Sequence, residues 1–211
     1  MKRSIVFLIS SFLFFSSFAQ SSWKKEKEKD GITIYTRTVG EKNLKEFKAY
    51  MNLDARTSTV AAILTTASNY PNWVYKLSST KKLKGSVPQG AWTYYTVSMP
   101  WPLSDRDGIS ATTAQQKSDG TVIIKQKSAP SFIPEKEGFV RLAQVDTEWT
   151  IEPIASGKLK ITYQSLADPG GLPAWLVNIF LLDGPFETLK GLRKEINKST
   201  FVNADINWVK E

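Results

Sequence analysis

Apolar and polar residues alternate along most of the chain up to residue 167, which is the pattern of β-strands that bury one face. The alternation is clearest where Val145, Thr147 and Trp149 are interleaved with charged or polar residues. Turn-forming residues such as Ser-Asp-Gly at 118–120 separate the strand segments, so we predict a long antiparallel meander. The predicted strands are 32–37, 45–53, 79–87, 91–98, 108–117, 121–128, 141–153 and 158–167.

The spacing of apolar residues changes to that of a helix in two places. After residue 57, Val60, Ile63 and Leu64 share one helical face. From 172 to 196 a longer apolar stripe steps by three or four residues and continues through Pro185, so we expect one bent helix there. The charged run 24–29, in which lysines and glutamates are mixed, is interpreted as a solvated first turn of a helix.

Together these elements predict an α+β fold built on one curved antiparallel sheet of about eight or nine strands. Because the strands have one apolar face, we expect the long C-terminal helix to cover the concave side of the sheet, with a shorter helix pair after the second strand. Neither a linker nor a repeat interrupts the chain after residue 20. Residues 20–211 are therefore predicted to form a single domain.

Residues 1–19 have the features of a cleaved signal peptide. One lysine and one arginine precede an apolar stretch at 5–18, and small residues at Ser17 and Ala19 suit a signal peptidase, so we expect cleavage before Gln20. A membrane anchor is the alternative, but the apolar stretch is shorter than the roughly 20 residues that span a bilayer. We therefore expect an exported protein that is periplasmic or secreted.

Composition narrows the chemistry further. The 211 residues contain 28 Lys and Arg against 20 Asp and Glu, and neither His nor Cys. Disulfides, zinc sites with Cys or His ligands, Ser-His-Asp triads and Cys-His pairs are thereby excluded. Loss of the signal peptide lowers the formal net charge from +8 to +6, which allows weak attraction to an anionic membrane. Nucleic-acid binding is not expected, because the aromatic residues do not stand beside clustered lysines and arginines.

Three motifs, in order, resemble those of the START domain, the lipid-binding domain of the steroidogenic acute regulatory and phosphatidylcholine-transfer proteins. They are Pro-Trp-Pro-Leu-Ser-Asp-Arg-Asp at 100–107, Gly-Phe-Val-Arg at 138–141, and Asp-Pro-Gly-Gly-Leu-Pro-Ala-Trp-Leu-Val-Asn at 168–178. The resemblance extends from Trp23 to Ile196 and suggests a bacterial-type, exported, single-domain member. It implies the helix-grip fold, in which a long helix closes a curved sheet.

The resemblance further implies a closed hydrophobic tunnel that binds and transfers a lipid or sterol-like ligand, gated by the C-terminal helix. We expect a monomer that contacts membranes transiently and has no catalytic residue, metal or cofactor. Family members use a tyrosine before the Pro-Gly-Gly turn to meet polar ligand groups, and Tyr163 stands at that position. With the expected inner faces, the predicted ligand-binding residues are Trp73, Tyr94, Trp101, Ile124, Trp149, Tyr163, Trp175, Ile179, Leu182 and Phe186.

Polar residues on the predicted inner faces leave two interpretations open. On the strand 91–98, we expect Trp92, Tyr94, Thr96 and Ser98 to point inward, together with Gln126 from a later strand. Hydroxyl and amide groups there could serve the polar end of a ligand, or they could be satisfied within a dry core.

Other functions also remain open. An enzyme of the same superfamily, a cyclase or hydrolase of an apolar molecule, would need an inward carboxylate or tyrosine, for which Asp105, Asp107 and Glu148 are nominal candidates. A structural module with a filled core is the third interpretation. For Arg106 and Asp107 we expect a structural ion pair or turn rather than contact with a ligand.

Overall fold

The computed structural model of the chain describes residues 22–40, 44–168 and 171–211. The predicted signal peptide and the Pro-Gly pair at 169–170 lie outside the described residues. The described strands are β1 (Lys24–Lys29), β2 (Ile32–Val39), β3 (Leu44–Asp54), β4 (Leu77–Ser86), β5 (Gly90–Val97), β6 (Arg106–Gln116), β7 (Val122–Ser128), β8 (Val140–Arg141), β9 (Val145–Ala155) and β10 (Lys158–Ala167).

All these strands join one sheet in the order β1-β2-β3-β10-β9-β7-β6-β5-β4. Every neighbouring pair along this path is antiparallel, and the two-residue strand β8 pairs in parallel with the beginning of β6. β10 returns to lie between β3 and β9, so the last strand of the chain joins the first three strands to the rest of the sheet. The predicted antiparallel sheet and α+β class are confirmed.

The charged run 24–29 is an edge strand, not the helix turn that we expected. It pairs with β2 from Lys24 opposite Thr36 to Lys29 opposite Ile32. A run of mixed charges has no apolar period, so the sequence alone does not distinguish an exposed helix turn from an exposed strand. The opposite edge strand, β4, is also rich in lysine, and charged edges discourage pairing with a second chain.

Helices follow the third strand and the last strand. The first group is α1 (Thr57–Thr65) and a 3-10 helix (Ala67–Asn72). The C-terminal helix begins with α2 (Ala174–Asn178), widens into a π-helical turn (Ile179–Asp183), and continues without a gap as α3 (Gly184–Glu195). A short helix, α4 (Ser199–Val202), comes last.

The hydrophobic core lies where α1 and α3 meet the inner face of the sheet. Ile34 of β2, Met51 of β3 and Ile161 of β10 are almost completely buried and pack with Leu189 of α3. Gly191 brings α3 against the chain that precedes β4, because a Cβ atom at this position would lie 2.3 Å from the backbone oxygen of Trp73. The predicted long helix over the sheet is thus confirmed.

Glu211 caps the first helix from the other end of the sequence. Its carboxylate accepts hydrogen bonds from the backbone N–H groups of Thr57 (3.1 Å) and Ser58 (3.0 Å), and α1 has no side-chain cap of its own. Burial opposes ionisation of Glu211, but a hydrogen bond from the Ser58 hydroxyl and the two backbone hydrogen bonds outweigh it and hold the pKa of the carboxyl below its usual value. The segment after α4 is thereby fixed against the start of α1.

Asp107 forms a buried ion pair with Arg141, and not with the adjacent Arg106. The Arg141 guanidinium donates to both carboxylate oxygens of Asp107, at 2.8 and 3.0 Å. It also donates to the backbone oxygens of Pro130, Ile133 and Pro134, so it holds the 129–139 loop against the outer face of the sheet. Arg106 instead donates to the backbone oxygen of Ser104.

The same pair explains the ionisation of Asp107. Burial opposes the charged form, but the hydrogen bonds and charge of Arg141 outweigh burial and hold the pKa of Asp107 below its usual value. The pair therefore stabilises the fold above the pKa of an unfolded aspartate and loses this contribution as the pH falls through the lower folded pKa.

We expect Arg141→Met to lower the free energy of unfolding by about 3–5 kcal/mol at pH 7, because it leaves a buried carboxylate unpaired. The loss should shrink at pH 4.5, where the isolated Asp107 takes up a proton, and urea unfolding at both pH values measures this. The matched control is Lys158→Met, which breaks the exposed pair with Asp54 and should cost less than about 1 kcal/mol. An equal loss at both pH values for Arg141→Met would contradict the assignment.

Candidate functional site

A cavity of about 240 Å³ lies between the inner face of the sheet and the C-terminal helix. Strands β3, β4, β5, β6, β7, β9 and β10 contribute to its walls, together with α1, the segment between α1 and β4, and the helix that begins at Ala174. Most of its lining is apolar or aromatic. The apolar side chains include Phe47, Leu64, Trp73, Val74, Leu77, Val97, Met99, Leu142, Val145, Trp149, Leu172, Val177, Phe180 and Leu181.

The cavity lies toward one end of the sheet, which we call the mouth end and define by Lys45, Val97 and Ala167. At this end β3 begins, β5 and β10 end, and Lys45 is paired with Ala167. Met99 and Leu172, which lie in the connections just beyond these strands, also line the cavity. The opposite end of the sheet carries the packed core.

Side-chain size along the central strands explains why the cavity lies there. On β10, the inward positions change from Ile161 through Tyr163 to Ser165 on the way to the mouth end, and on β9 Ile151 gives way to Thr147 in the same direction. Large aliphatic side chains fill the far end against α3, whereas small hydroxyl side chains leave space near the mouth. The same face of β9 and β10 points inward at the far end and at the mouth end, so only the size of the side chains differs.

Aromatic rings form the inner wall. The rings of Trp149 and Tyr163 stack in parallel with centroids 3.9 Å apart. The ring of Phe47 meets Tyr163 edge-on at 4.8 Å, and Trp73 meets Trp149 at 6.1 Å and 64°. Edge-to-face and offset contacts of this kind hold the rings in fixed positions, so the inner wall is preformed.

The polar groups of the lining fall into two classes. The Tyr70 hydroxyl donates to the backbone oxygen of Leu64 (2.6 Å) and accepts from the Gln126 amide (3.1 Å), while the hydroxyls of Thr147 and Ser165 bond to each other (3.0 Å). These groups are satisfied within the protein.

The hydroxyls of Tyr95 and Tyr163 form the second class, since within the described part of the chain neither makes a hydrogen bond to another residue. Burial is the main cause that raises the pKa of both phenols above their usual value, and each therefore stays protonated at neutral pH. The Tyr95 phenol also contributes to the raised pKa of Tyr163. The indole N–H of Trp73 is buried and lacks a partner among the described residues as well.

Of the ten predicted ligand-binding residues, Trp73, Trp149 and Tyr163 line the cavity. The isoleucine at position 124 faces inward but is fully buried in the packed core. Trp101 lies in the connection between β5 and β6, is 93 % exposed and is not part of the cavity lining.

The inner face of β5 is the opposite of the one that we predicted. Thr93, Tyr95 and Val97 line the cavity, whereas Tyr94 lies on the outer face. There the Nζ of Lys136, from the 129–139 loop, lies over the Tyr94 ring at 3.9 Å from the ring centroid. Because the loop buries the outer face here, both faces of β5 are shielded from water. Alternation of polarity therefore carries no information about which face points inward.

The inward face of the C-terminal helix is also rotated from the prediction. Trp175 is 54 % exposed, and Val177, Phe180 and Leu181 line the cavity instead. A π turn holds about one residue more than an α turn, so it rotates the preceding segment by about 100° relative to a continuous α-helix. The other predicted lid residues, Ile179, Leu182 and Phe186, are not part of the cavity lining, and the last two pack on the core.

Charged side chains contribute little to the cavity, and those in its lining, Lys45 and Asp168, stand at the mouth end. The nominal carboxylates Asp107 and Glu148 lie elsewhere, since Asp107 is paired with Arg141 and Glu148 lies 3.5 Å from Lys125 on the outer face. Asp105 accepts a hydrogen bond from the backbone of Met99 (2.8 Å). Among the described residues, no group of three acidic side chains could hold a metal ion, and no helix is long and apolar enough to cross a membrane.

Comparison with known proteins links this architecture to one family. A model of the START domain matches residues 17–200. An uncharacterised protein of Pseudomonas aeruginosa is 35 % identical over 177 residues, covering 83 % of this chain and 87 % of that protein. The human phosphatidylcholine transfer protein is 25 % identical over 183 residues, covering 83 % and 84 % of the two chains.

Solved structures agree with the sequence comparisons. The STAR-related lipid transfer protein of Xanthomonas axonopodis superimposes with a TM-score of 0.77 and 31 % identity, over 84 % of this chain and all of that one. An aromatase/cyclase from Streptomyces superimposes with a TM-score of 0.54 and 8 % identity, over 74 % of this chain and 98 % of that one. The second likeness is one of fold alone.

Gly108 determines where the Tyr95 ring lies, because a Cβ atom at this position would come within 2.4 Å of the phenol oxygen. We expect Gly108→Ala to cost about 1–3 kcal/mol, since the ring must turn away from the strand toward the cavity. In a Tyr95→Ala background the same change should cost much less. Urea unfolding of the four proteins in this cycle measures the coupling, and an equal cost in both backgrounds would contradict the contact.

Proposed function

The chain belongs to the START domain family, and on this basis we propose that it binds a lipid or similar apolar ligand in the cavity and carries it between membranes. The apolar cavity beneath the C-terminal helix is the observation that carries the proposal. Each CH₂ group removed from water contributes about 0.8 kcal/mol, so walls such as Phe47, Trp149 and Leu181 supply affinity without any charge. Lipid transfer in the names of two relatives supports the same function.

The proposed function involves no covalent chemistry. Tyr95 and Tyr163 have raised pKa values and are poor proton donors or bases at neutral pH, and the carboxylates of Asp105 and Asp107 are engaged in structural contacts. An enzyme is the alternative function, because an aromatase/cyclase has the same fold. The similarity between the two proteins is one of fold and gives no shared catalytic residue. Trp73, Tyr95, Trp149 and Tyr163 are the proposed ligand contacts.

Ligand entry requires the mouth end to open, and we assign this step to the start of the C-terminal helix. Pro185 has no N–H group to bond to the preceding turn, and the π turn lies directly before it. Outside the helix, Lys27 of β1 approaches Asp183 at 3.3 Å and covers the Phe186 ring at 4.0 Å. These contacts hold the helix at the end of the π turn and at Phe186, so the segment before them is the part that we propose moves. The 129–139 loop is held by Arg141 and is a poorer hinge.

Two further properties follow from the sequence and belong to the same proposal. Removal of a signal peptide would place the protein in a periplasm or outside the cell, where it would act as a monomer. Size-exclusion chromatography of the purified mature protein tests the second property, and its N-terminal sequence tests the first.

Replacement of Ala167 by tryptophan should fill the cavity at the mouth end. We expect organic extracts of the wild-type protein to contain a co-purifying lipid in near-stoichiometric amount by mass spectrometry, and extracts of Ala167→Trp to contain at least about tenfold less. The matched control is Leu166→Trp, which alters the adjacent residue on the other face of β10 and should keep the lipid. Absence of any bound lipid in the wild type, with no melting-temperature rise on lipid addition, would count against the function.

Trp101 and Trp175 are exposed, and each lies two positions along the chain from a residue that lines the cavity, Met99 and Val177 respectively. Tryptophan favours the interface of a bilayer, so we expect the pair to contact the membrane during transfer. The double variant Trp101→Ala/Trp175→Ala should transfer lipid between vesicles at least about tenfold more slowly while retaining ligand in solution. Ile154→Ala, at an exposed site on the far end, is the control and should transfer normally. Unchanged transfer by the double variant would exclude this docking surface.

A further inference from the structure

The edge strand β4 carries positive charge with no negative charge beside it. Residues 55–104 contain five lysines and arginines but no aspartate or glutamate. Four of these basic residues are exposed and lie on β4 or directly before it, and we call them the basic edge: Lys76, Lys81, Lys82 and Lys84. The elements that contact β4, namely β5 and the 3-10 helix, have no charged side chain at all.

The charge of the basic edge is not neutralised within the protein. Among the described residues, no carboxylate forms an ion pair with any of its lysines, whereas lysines elsewhere on the sheet, such as Lys158, are paired. Lys76 lies over the Tyr75 ring at 5.7 Å and Lys84 over the Trp92 ring at 5.8 Å, and such contacts leave the charge in place. All four charges are therefore available to a partner outside the chain.

Protection of the sheet edge does not explain why all four charges are positive. The opposite edge strand, β1, mixes lysine with glutamate, and Lys24 and Lys25 are paired with Glu26 and Glu28 of the same strand. Charge of either sign, or of both, discourages pairing with a second chain. Four unpaired lysines without an acidic neighbour have a further property, because they are complementary to an anionic partner.

Position in the fold indicates which anionic partner fits. The backbone N–H of Ser98 donates to the backbone oxygen of Lys76 at 2.9 Å, and Leu77 lies opposite Val97 at the mouth end. Trp101, which is 93 % exposed, follows three residues after Ser98. The basic edge thus continues into the segment that carries an exposed tryptophan. A surface that combines lysines with an exposed tryptophan suits a bilayer with anionic headgroups better than an acidic protein.

Reach determines how such a bilayer would meet the protein. Lys84 lies about 20 Å beyond Leu77 along β4, whereas charges attract each other across water only within a Debye length of about 8–10 Å. All four lysines therefore act together only when the edge of the sheet lies along the membrane surface.

We propose that the basic edge docks the protein on membranes that contain anionic lipids, with β4 along the bilayer surface and Trp101 at its mouth-end corner. The inference rests on the proposed function and names the class of membrane that the protein serves. Attraction of lysines to anionic headgroups acts at the first encounter, and contact of the tryptophan with the interface follows.

Sedimentation of the purified mature protein with vesicles measures this docking and requires no ligand in the cavity. The vesicles contain phosphatidylcholine alone or with about 30 % phosphatidylglycerol, at about 0.1 M salt. We expect the wild type to bind the anionic vesicles at least about tenfold more tightly than the neutral ones. Lys76→Gln/Lys81→Gln/Lys82→Gln/Lys84→Gln should lose at least about tenfold in affinity for the anionic vesicles and keep its weak binding to the neutral ones. Raising the salt to about 0.5 M should remove most of the wild-type preference.

The matched control removes the same charge from another part of the sheet. It is Lys125→Gln/Lys127→Gln/Lys158→Gln/Lys160→Gln, in which each replaced lysine has a carboxylate partner. Both variants lower the net charge by four, but the control should lose less than about threefold in affinity for the anionic vesicles. Circular dichroism and urea unfolding check that both variants fold.

Equal losses in the two variants would overturn the inference, because net charge alone would then explain the binding. It is also overturned if the wild type does not prefer anionic vesicles, or if the basic-edge variant binds them as tightly as the wild type, which would leave an acidic protein as the partner of β4. A protein that docks as expected but neither contains nor transfers lipid would instead refute the proposed function and leave the docking surface standing.

Discussion

A sheet that is wider than its covering helix is the constraint on which the rest of the structure depends. Nine neighbouring strands span about 38 Å at their usual spacing, whereas a helix with its side chains is about 10–12 Å wide. Curvature brings the strands closer to the helix, and α1 fills the inner face further where it contacts β7 and β9. Near the mouth end the strands carry Thr93, Ser110, Thr147 and Ser165, which are too small to fill the remaining space. The cavity is the result.

Alternation of polarity predicts the elements of this fold well, because most strands have one dry face and one wet face. It also locates Trp149 and Tyr163 on an inner face, since their strands alternate cleanly. It fails at β5, where the 129–139 loop buries the outer face and Tyr94 and Tyr95 are both shielded. The loop is held there by hydrogen bonds from Arg141 to three of its backbone oxygens. The pattern of residues within β5 does not indicate that this loop packs against the strand.

The C-terminal helix fails in another way. A regular stripe of apolar residues predicts which side of an α-helix is buried, but the π turn changes the phase, so Trp175 points to solvent and Val177 to the cavity. Pro185 predicts an irregularity in the helix, but the sequence does not distinguish a bend in an α-helix from a widened π-helical turn. The reason for a glycine at position 108 is evident only once the register of β5 and β6 is known, because this register places Gly108 opposite Tyr95 and its ring.

An open cavity has an energetic consequence that connects stability with transfer. Apolar walls such as Phe47 and Trp149 contribute about 25 cal/mol for each Å² of their surface that a ligand removes from water. In the proposed function the loaded state is therefore favoured, and release of the ligand into water is slow. Release into a bilayer is different, because the ligand passes from one apolar surrounding to another without exposure to water. In the proposed function, the exposed side chains of Trp101 and Trp175 meet such a surface while the cavity opens.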